Sequence, residues 1–153
     1  MKITAQEEYG LRILVRIARS EKPDGLTIPE LSCCEGLTQH YVAKLCRVLR
    51  LAGLIKSQRG KTGGYLLSRP AEQIPLNKIL EILGGKLFSE TYCQSHRGIE
   101  STCTNSGDCS LRFLWQILQD SVDDVLEKIT LQDLLESRIK LYRRSKSFDL
   151  HYS

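Results

Sequence analysis

Three features of the chain predict a mainly α fold with a small β-wing. Helix-starting Thr-x-x-Glu boxes recur at Thr4–Glu7 and Thr27–Glu30. A glycine-rich segment separates two short apolar stretches between residues 54 and 68. A long amphipathic stretch then fills residues 110–128. A length of 153 residues suits one small domain with a helical appendage. Its 41% hydrophobic content is enough for a core of ordinary density. No apolar run approaches the roughly 20 residues that cross a bilayer. Met1-Lys2-Ile3 leads into a charged helix without the apolar segment of a secretory signal, so a cytoplasmic chain with no membrane partner is expected.

In Thr4-Ala5-Gln6-Glu7 each end of the box can satisfy a free backbone amide. Leu11, Leu14, Val15 and Ala18 follow at helical spacing, with Ile13 and Ile17 beside them, which predicts a helix from about Ala5 to Arg19. Pro23-Asp24-Gly25 stops it. Thr27-Ile28-Pro29-Glu30 opens a short second helix ending near Cys33-Cys34, Glu35-Gly36-Leu37 turns the chain, and Thr38 caps a third helix running to about Ala52. Gly53 supplies the left-handed position after it. Val42, Leu45, Cys46 and Leu49 share one stripe of this third helix and are expected in the core. Leu54–Ser57 and Tyr65–Ser68 read as two strands around Arg59-Gly60-Lys61-Thr62-Gly63-Gly64. Short helix, glycine turn, second helix and hairpin together make a winged helix-turn-helix.

Charge is distributed unevenly. The net charge is +4, but residues 1–69 carry a balance of +6 and residues 70–153 one of −2. No acid occurs between Glu35 and Glu72, while Lys44, Arg47, Arg50, Lys56, Arg59, Lys61 and Arg69 fall in that interval. Such a field is the footprint of a polyanion-binding face. On the third helix Thr38, Gln39, His40, Lys44, Arg47 and, less clearly outward, Tyr41 are placed to meet base edges and phosphates in a major groove. At the hairpin tip Arg59 and Lys61 are available to the DNA backbone or minor groove, and Gly63 permits close approach. The partner expected is double-stranded DNA.

The second half is organised differently. Pro75 to Leu83 predicts a short helix ended by Gly84-Gly85, and residues 89–109 show no apolar periodicity. Leu111, Leu114, Trp115, Leu118, Val122, Val125 and Ile129 then form the stripe of a helix from Ser110 to about Lys128. This face is large for so small a domain and suits burial against a second subunit in a homodimer; packing within its own chain is the alternative. Thr130-Leu131-Gln132-Asp133 starts a last short helix, and residues 145–153 read as a loose tail. The expected division is thus 1–69 for the DNA-binding domain, 70–109 for a short helix and cysteine loop, 110–144 for dimerisation and C-terminal helices, and 145–153 for the tail.

Cys93, Cys103 and Cys109 stand in a Cys-x9-Cys-x5-Cys pattern within the polar loop. Three thiols in a reducing compartment are not a disulfide framework. Soft thiolates suit an iron–sulfur cluster or zinc, and redox-active free thiols are the third reading; the close pairs of a zinc finger are absent. Cys46 is expected as a small core residue, and Cys33 and Cys34 close the second helix without an assigned sensor role.

Taken together, the residues resemble the Rrf-type family of bacterial regulators, which includes IscR-, NsrR- and RirA-like members. The matching pieces are Met1-Lys2-Ile3-Thr4 with Tyr9, Leu37–Tyr41, Leu49–Leu54, Arg59–Leu66, the three loop cysteines, Leu114-Trp115 and Ile129–Leu134. The resemblance spans about residues 1–137. It implies a homodimeric DNA-binding transcription regulator with a crossed long-helix interface, and an iron–sulfur cluster, 2Fe-2S or 4Fe-4S, held at Cys93, Cys103 and Cys109.

Two departures bear on the fourth ligand. The first cysteine gap is longer than in the best-known members. IscR-like members carry a histidine three residues after the last cysteine, where this chain has Arg112, and a charged guanidinium has no lone pair to donate. NsrR-like members use a carboxylate on helix one of the other subunit, which corresponds here to Glu8. A solvated first-turn acid is the plain alternative for Glu8, and His96 within the loop is a further candidate ligand. Competing functions are a cofactor-free or zinc-binding winged-helix regulator, and an iron–sulfur electron-transfer protein. No Ser/His/Asp set, phosphate loop or paired carboxylates point to an enzyme or to a small-molecule substrate.

Overall fold

The computed structural model describes residues 2–60, 63–89, 91–105 and 107–136. Its elements in chain order are α1 (Ala5–Arg19), α2 (Ile28–Glu35), α3 (Gln39–Leu51), β1 (Ile55–Ser57), β2 (Tyr65–Leu67), α4 (Leu76–Gly84), α5 (Tyr92–Ser95), α6 (Ser110–Leu126) and α7 (Leu131–Leu135), with a 3-10 turn at Ala71–Gln73. The fold is mainly helical with one antiparallel pair, as the sequence predicts. The end of the expected 110–144 segment and the tail 145–153 lie outside the described residues.

Both Thr-x-x-Glu boxes form. Thr4 caps α1 and Thr27 caps α2, each accepting from the amide three residues on, while Glu7 and Glu30 reach back to the cap amides. Thr130 and Asp133 do the same for α7. Gly36 ends α2 at φ +66°, a left-handed conformation that side chains rarely tolerate. It lets the chain reverse within two residues into Thr38, whose hydroxyl accepts from the Tyr41 amide to start α3.

One core joins all these elements. Ile13, Leu14 and Ile17 of α1 meet Leu31 of α2, Val42, Leu45, Cys46 and Leu49 of α3, Ile79 and Leu83 of α4, and Leu131 of α7. The stripe expected on α3 is therefore buried. On α1 the buried face is rotated from expectation: Gly10, Ile13, Leu14 and Ile17 are buried, whereas Leu11, Val15 and Ala18 are only half-buried. The cause is Gly10, which lets α4 come so close that a Cβ there would sit 2.5 Å from a Leu83 methyl.

The hairpin pairs Ile55 with Leu67 and Ser57 with Tyr65. It is not free-standing. Leu26, before α2, exchanges backbone hydrogen bonds with Tyr65 at 3.1 and 2.8 Å, and the Gly64 amide donates to the Asp24 carbonyl at 2.9 Å. The wing is thus stapled to the α1–α2 loop. Gly64 is buried there, where a Cβ would lie 2.6–2.8 Å from the backbone of Gly25 and Leu26.

The cysteine loop, expected to lack regular structure, contains the single turn α5, which carries Cys93. Helix α6 is attached lightly. Gln119 is its one buried residue, and its Oε1 accepts from the Phe88 amide at 3.1 Å. Most of the apolar stripe faces out, with Leu111 57%, Leu114 45% and Trp115 38% exposed. No described helix is long and apolar enough to cross a membrane.

Candidate nucleic-acid interface and cysteine pocket

Burial of Val42, Leu45, Cys46 and Leu49 fixes the roll of α3 and turns its opposite face outward. Thr38, Gln39, His40, Lys44 and Arg47 are all exposed on it. Arg50, not singled out from the sequence as a contact, extends the same cationic face at the helix end. Tyr41 differs: it is half-buried, and its ring packs nearly perpendicular to that of Tyr9, with centroids 6.1 Å apart and planes at 87°. Tyr9 in turn lies under the Arg12 guanidinium at 5.4 Å. Tyr41 thereby braces α3 on α1 while leaving part of its ring accessible.

Arg59 is exposed on the wing, and Gly63 is half-buried against the Gln58 carbonyl, so that a side chain there would strike the backbone. Lys61 lies outside the described residues.

An acid that sequence reasoning passed over completes the electrostatics. Glu35, at the end of α2, has a side chain only 4% exposed. Its two carboxylate oxygens accept from the Nε atoms of Arg12 and Arg16, each at 2.8 Å. The hydrogen bond and charge of Glu35 hold the Arg16 guanidinium in its protonated form even more firmly than usual. This fork locks the helix-turn-helix to α1 and neutralises the acid nearest the α2–α3 turn. The arginine spacing on α1 was visible in the sequence, but its target on another helix was not.

Cys93, Cys103 and Cys109 border one pocket of about 300 Å³, together with His96, Leu111 and Trp115. The folding of the loop onto the start of α6 brings together thiols that are separated by up to fifteen residues in the chain. All three are partly exposed. No group of three His, Cys, Asp or Glu side chains among the described residues converges closely enough for a single metal ion. The pocket offers three soft sulfur donors beside apolar side chains. That donor set, soft sulfur around an apolar-walled cavity, fits a polynuclear iron–sulfur centre. Soft thiolates suit zinc as well.

Glu8 is exposed on α1 and borders a different pocket, with Arg12, Arg16 and Arg19. Within one chain it does not line the cysteine pocket. Arg112 does line it. Cys46 is fully buried, and burial pushes its thiol up to about 11. Cys33 and Cys34 are exposed at the end of α2.

Comparison with known proteins fits this arrangement. Residues 3–137 match the family model Rrf2, described as an iron-dependent transcriptional regulator. The chain is 30% identical over 134 residues to the HTH-type transcriptional regulator CymR of Bacillus subtilis, covering 88% of this chain and 89% of CymR. It is 28% identical to IscR of Pectobacterium carotovorum, covering 90% and 81%. The solved structure of IscR from T. potens superposes with a TM-score of 0.67 at 29% identity, covering 88% of this chain and 86% of that one. These relatives are named as transcriptional regulators, a non-enzymatic function. With its winged helix-turn-helix, its cationic α3 face and a match over nearly its whole length, the chain belongs to the Rrf2 family of DNA-binding transcriptional regulators.

Proposed function

We propose that the protein acts as a homodimer on double-stranded operator DNA and that an iron–sulfur cluster at Cys93, Cys103 and Cys109 sets its affinity. The observation that carries the sensing part is the gathering of all three loop thiols around one pocket beside Trp115. When bound, the cluster supplies a link between loop and α6 that depends on iron supply and redox state. The cysteines hold the loop against the first turn of α6, and Leu111 and Trp115 form an apolar wall of the pocket. The exposed stripe of α6, including Leu114 and Val125, is the surface on which a second subunit packs.

On DNA, Gln39, His40, Lys44 and Arg47 address the major groove, with Thr38 and the exposed part of Tyr41 at the helix start. Arg59 and Lys61 reach the backbone or minor groove, and Gly63 lets the wing approach. Two such heads would address half-sites about 34–36 Å apart. A DNA target places the protein in the cytoplasm. The fourth donor is contested between Glu8 of a second subunit and His96 of the same chain.

A second reading has its own support, because CymR, named as a global cysteine regulator, is as similar as IscR. On that reading the loop thiols act without a cluster. Anaerobic purification separates the two. The cluster reading predicts a brown protein with visible charge-transfer absorption that Cys103→Ala bleaches. A wild type that stays colourless after anaerobic reconstitution with iron and sulfide overturns it.

A further inference from the structure

We infer that the cleft between α1, α4 and α6 binds a small zwitterion with an aliphatic side chain, of the free amino acid class, as an effector; its influence on DNA rests on the dimer reading above, its occupancy does not.

The cleft encloses about 390 Å³, within the range of about 300–1,000 Å³ usual for small-molecule sites. Its apolar wall is made by Ile3 ahead of α1, Leu87 after α4, and Val122 and Leu126 of α6. Ile3 and Leu87 are 75% and 46% exposed, so a ligand's side chain would take apolar surface out of water there. Gln119 lines the same space and is itself only 6% exposed. The Phe88 amide can only donate, so the Gln119 atom facing it is Oε1 and the side-chain NH2 is left over. That NH2 has no hydrogen-bond partner among the described residues. Such a group on a side chain this buried is uncommon, and a ligand carboxylate would supply the missing acceptor. Gln119 also borders a neighbouring hollow by Ser89 and Thr91, but Phe88 is the one apolar residue lining that hollow.

Charges of both signs ring the cleft, Lys2 and Lys86 against Glu7, Glu81 and Asp123. Glu7 is engaged by the α1 cap. Glu81 and Asp123 are held loosely, by Lys78 at 3.4 Å and by Lys86 at 3.9 Å. A zwitterion can turn its ammonium to these two acids and its carboxylate to Lys2 and the Gln119 amide. A simple anion or cation would leave one set of charges unanswered.

The position of the cleft suits a control site. Its α1 and α4 walls are one body, because Gln6 Nε2 donates to the Leu83 carbonyl at 2.6 Å and Gly84 lies too close to the Glu7 side chain for any Cβ. Helix α6 is anchored just past its end, where the Leu76 amide donates to the Ile129 carbonyl and the Leu131 amide to the Ile74 carbonyl, each at 2.8 Å. The cleft lies beside that anchor, and the 17 residues of α6 run roughly 25 Å from it toward the cysteine loop. A small wedge near the anchor is therefore enlarged at the far end. A ligand that favours one setting of α6 changes the spacing of the two heads in the dimer, and with it the affinity for DNA.

The test uses the full chain with L-leucine as probe, and isocaproate and isoamylamine, which each lack one of its charges, as controls. Leucine should shift the side-chain amide resonances of Gln119 saturably and bind with millimolar or tighter affinity by calorimetry. Isocaproate and isoamylamine should bind at least about tenfold more weakly. Gln119→Glu keeps an acceptor for the Phe88 amide but replaces the free NH2 by a carboxylate, and should weaken leucine at least about tenfold. Lys2→Glu, at an exposed position ahead of α1, should weaken it in the same direction. Saturating leucine should change the affinity for the genomic DNA fragment bound best by at least about fivefold. Equal binding of all three probes, no saturable shift at Gln119, or a leucine affinity untouched by both substitutions overturns the site. Saturation without a change in DNA affinity, in a chain that sedimentation shows to be dimeric, overturns its role as an effector. A monomeric chain overturns the dimer reading instead, and the Gln119 shift still decides the site.

Discussion

The fork at Glu35 offers the sharpest test of how the DNA-binding head is held. Glu35→Gln keeps the side-chain shape and removes the charge. Each of the two hydrogen bonds replaced is charge-assisted, and such bonds contribute about 1.5–3 kcal/mol when shielded. The carboxylate is 4% exposed, but its partners Arg12 and Arg16 are 44% and 45% exposed. Water therefore recovers much of their loss, and about 1 kcal/mol per bond is the appropriate figure. The amide nitrogen of glutamine must also face a guanidinium, which gives no compensating bond. The expected cost is about 2 kcal/mol, or roughly 6 °C in the melting midpoint for a chain of this size. Urea titration at pH 7 and fixed protein concentration should show a lower midpoint with an unchanged slope. A double-mutant cycle with Arg16→Gln should return a coupling of about 1 kcal/mol. A midpoint change below about 0.5 kcal/mol, with no coupling, would refute the claim that the fork secures α2 to α1.

Three further outcomes follow from the same geometry. Gly64→Ala should destabilise the protein by about 2 kcal/mol or more and weaken DNA binding, because the new methyl strikes the Gly25–Leu26 backbone and unpicks the wing; thermal melting and anisotropy titration read the two effects, and wild-type values would contradict the stapled wing. Arg59→Ala should weaken binding to matched and scrambled duplexes alike and lower the salt slope by about 1, whereas loss of selectivity alone would point to a base contact. With its thiol raised to about 11, Cys46 should resist alkylation at pH 8 in the native state, while exposed Cys33 and Cys34 react; mass spectrometry of the labelled peptides checks this.

Local rules made most of the fold legible. Thr4–Glu7, Thr27–Glu30 and Thr38 mark helix starts because side chains must satisfy amides that no helical carbonyl can reach. Val42, Leu45, Cys46 and Leu49 give the roll of α3 by period alone. The failures are tertiary. The periodicity of α1 admits two neighbouring apolar stripes, and only the approach of Leu83 over Gly10 selects the Ile13–Ile17 face. The isolated turn at Tyr92–Ser95 is too short to show a period, so the positioning of His96 was invisible even though the cysteines beside it stood out. Glu35 looked like a turn residue, since nothing local announces that two arginines nineteen and twenty-three residues earlier will enclose it. The exposed stripe of α6 was readable as apolar, but a stripe says nothing of whether its own chain or a second copy covers it.

The most direct measurement is anaerobic binding of the cluster-loaded and the cluster-free dimer to the promoter fragment that it selects best from genomic DNA, with a scrambled duplex as control, across a series of salt concentrations. The account predicts selective binding that weakens steeply with salt. It also predicts affinities for the promoter that differ between the two forms by about 5- to 150-fold. Equal affinity for promoter and scrambled duplex in both forms would contradict it.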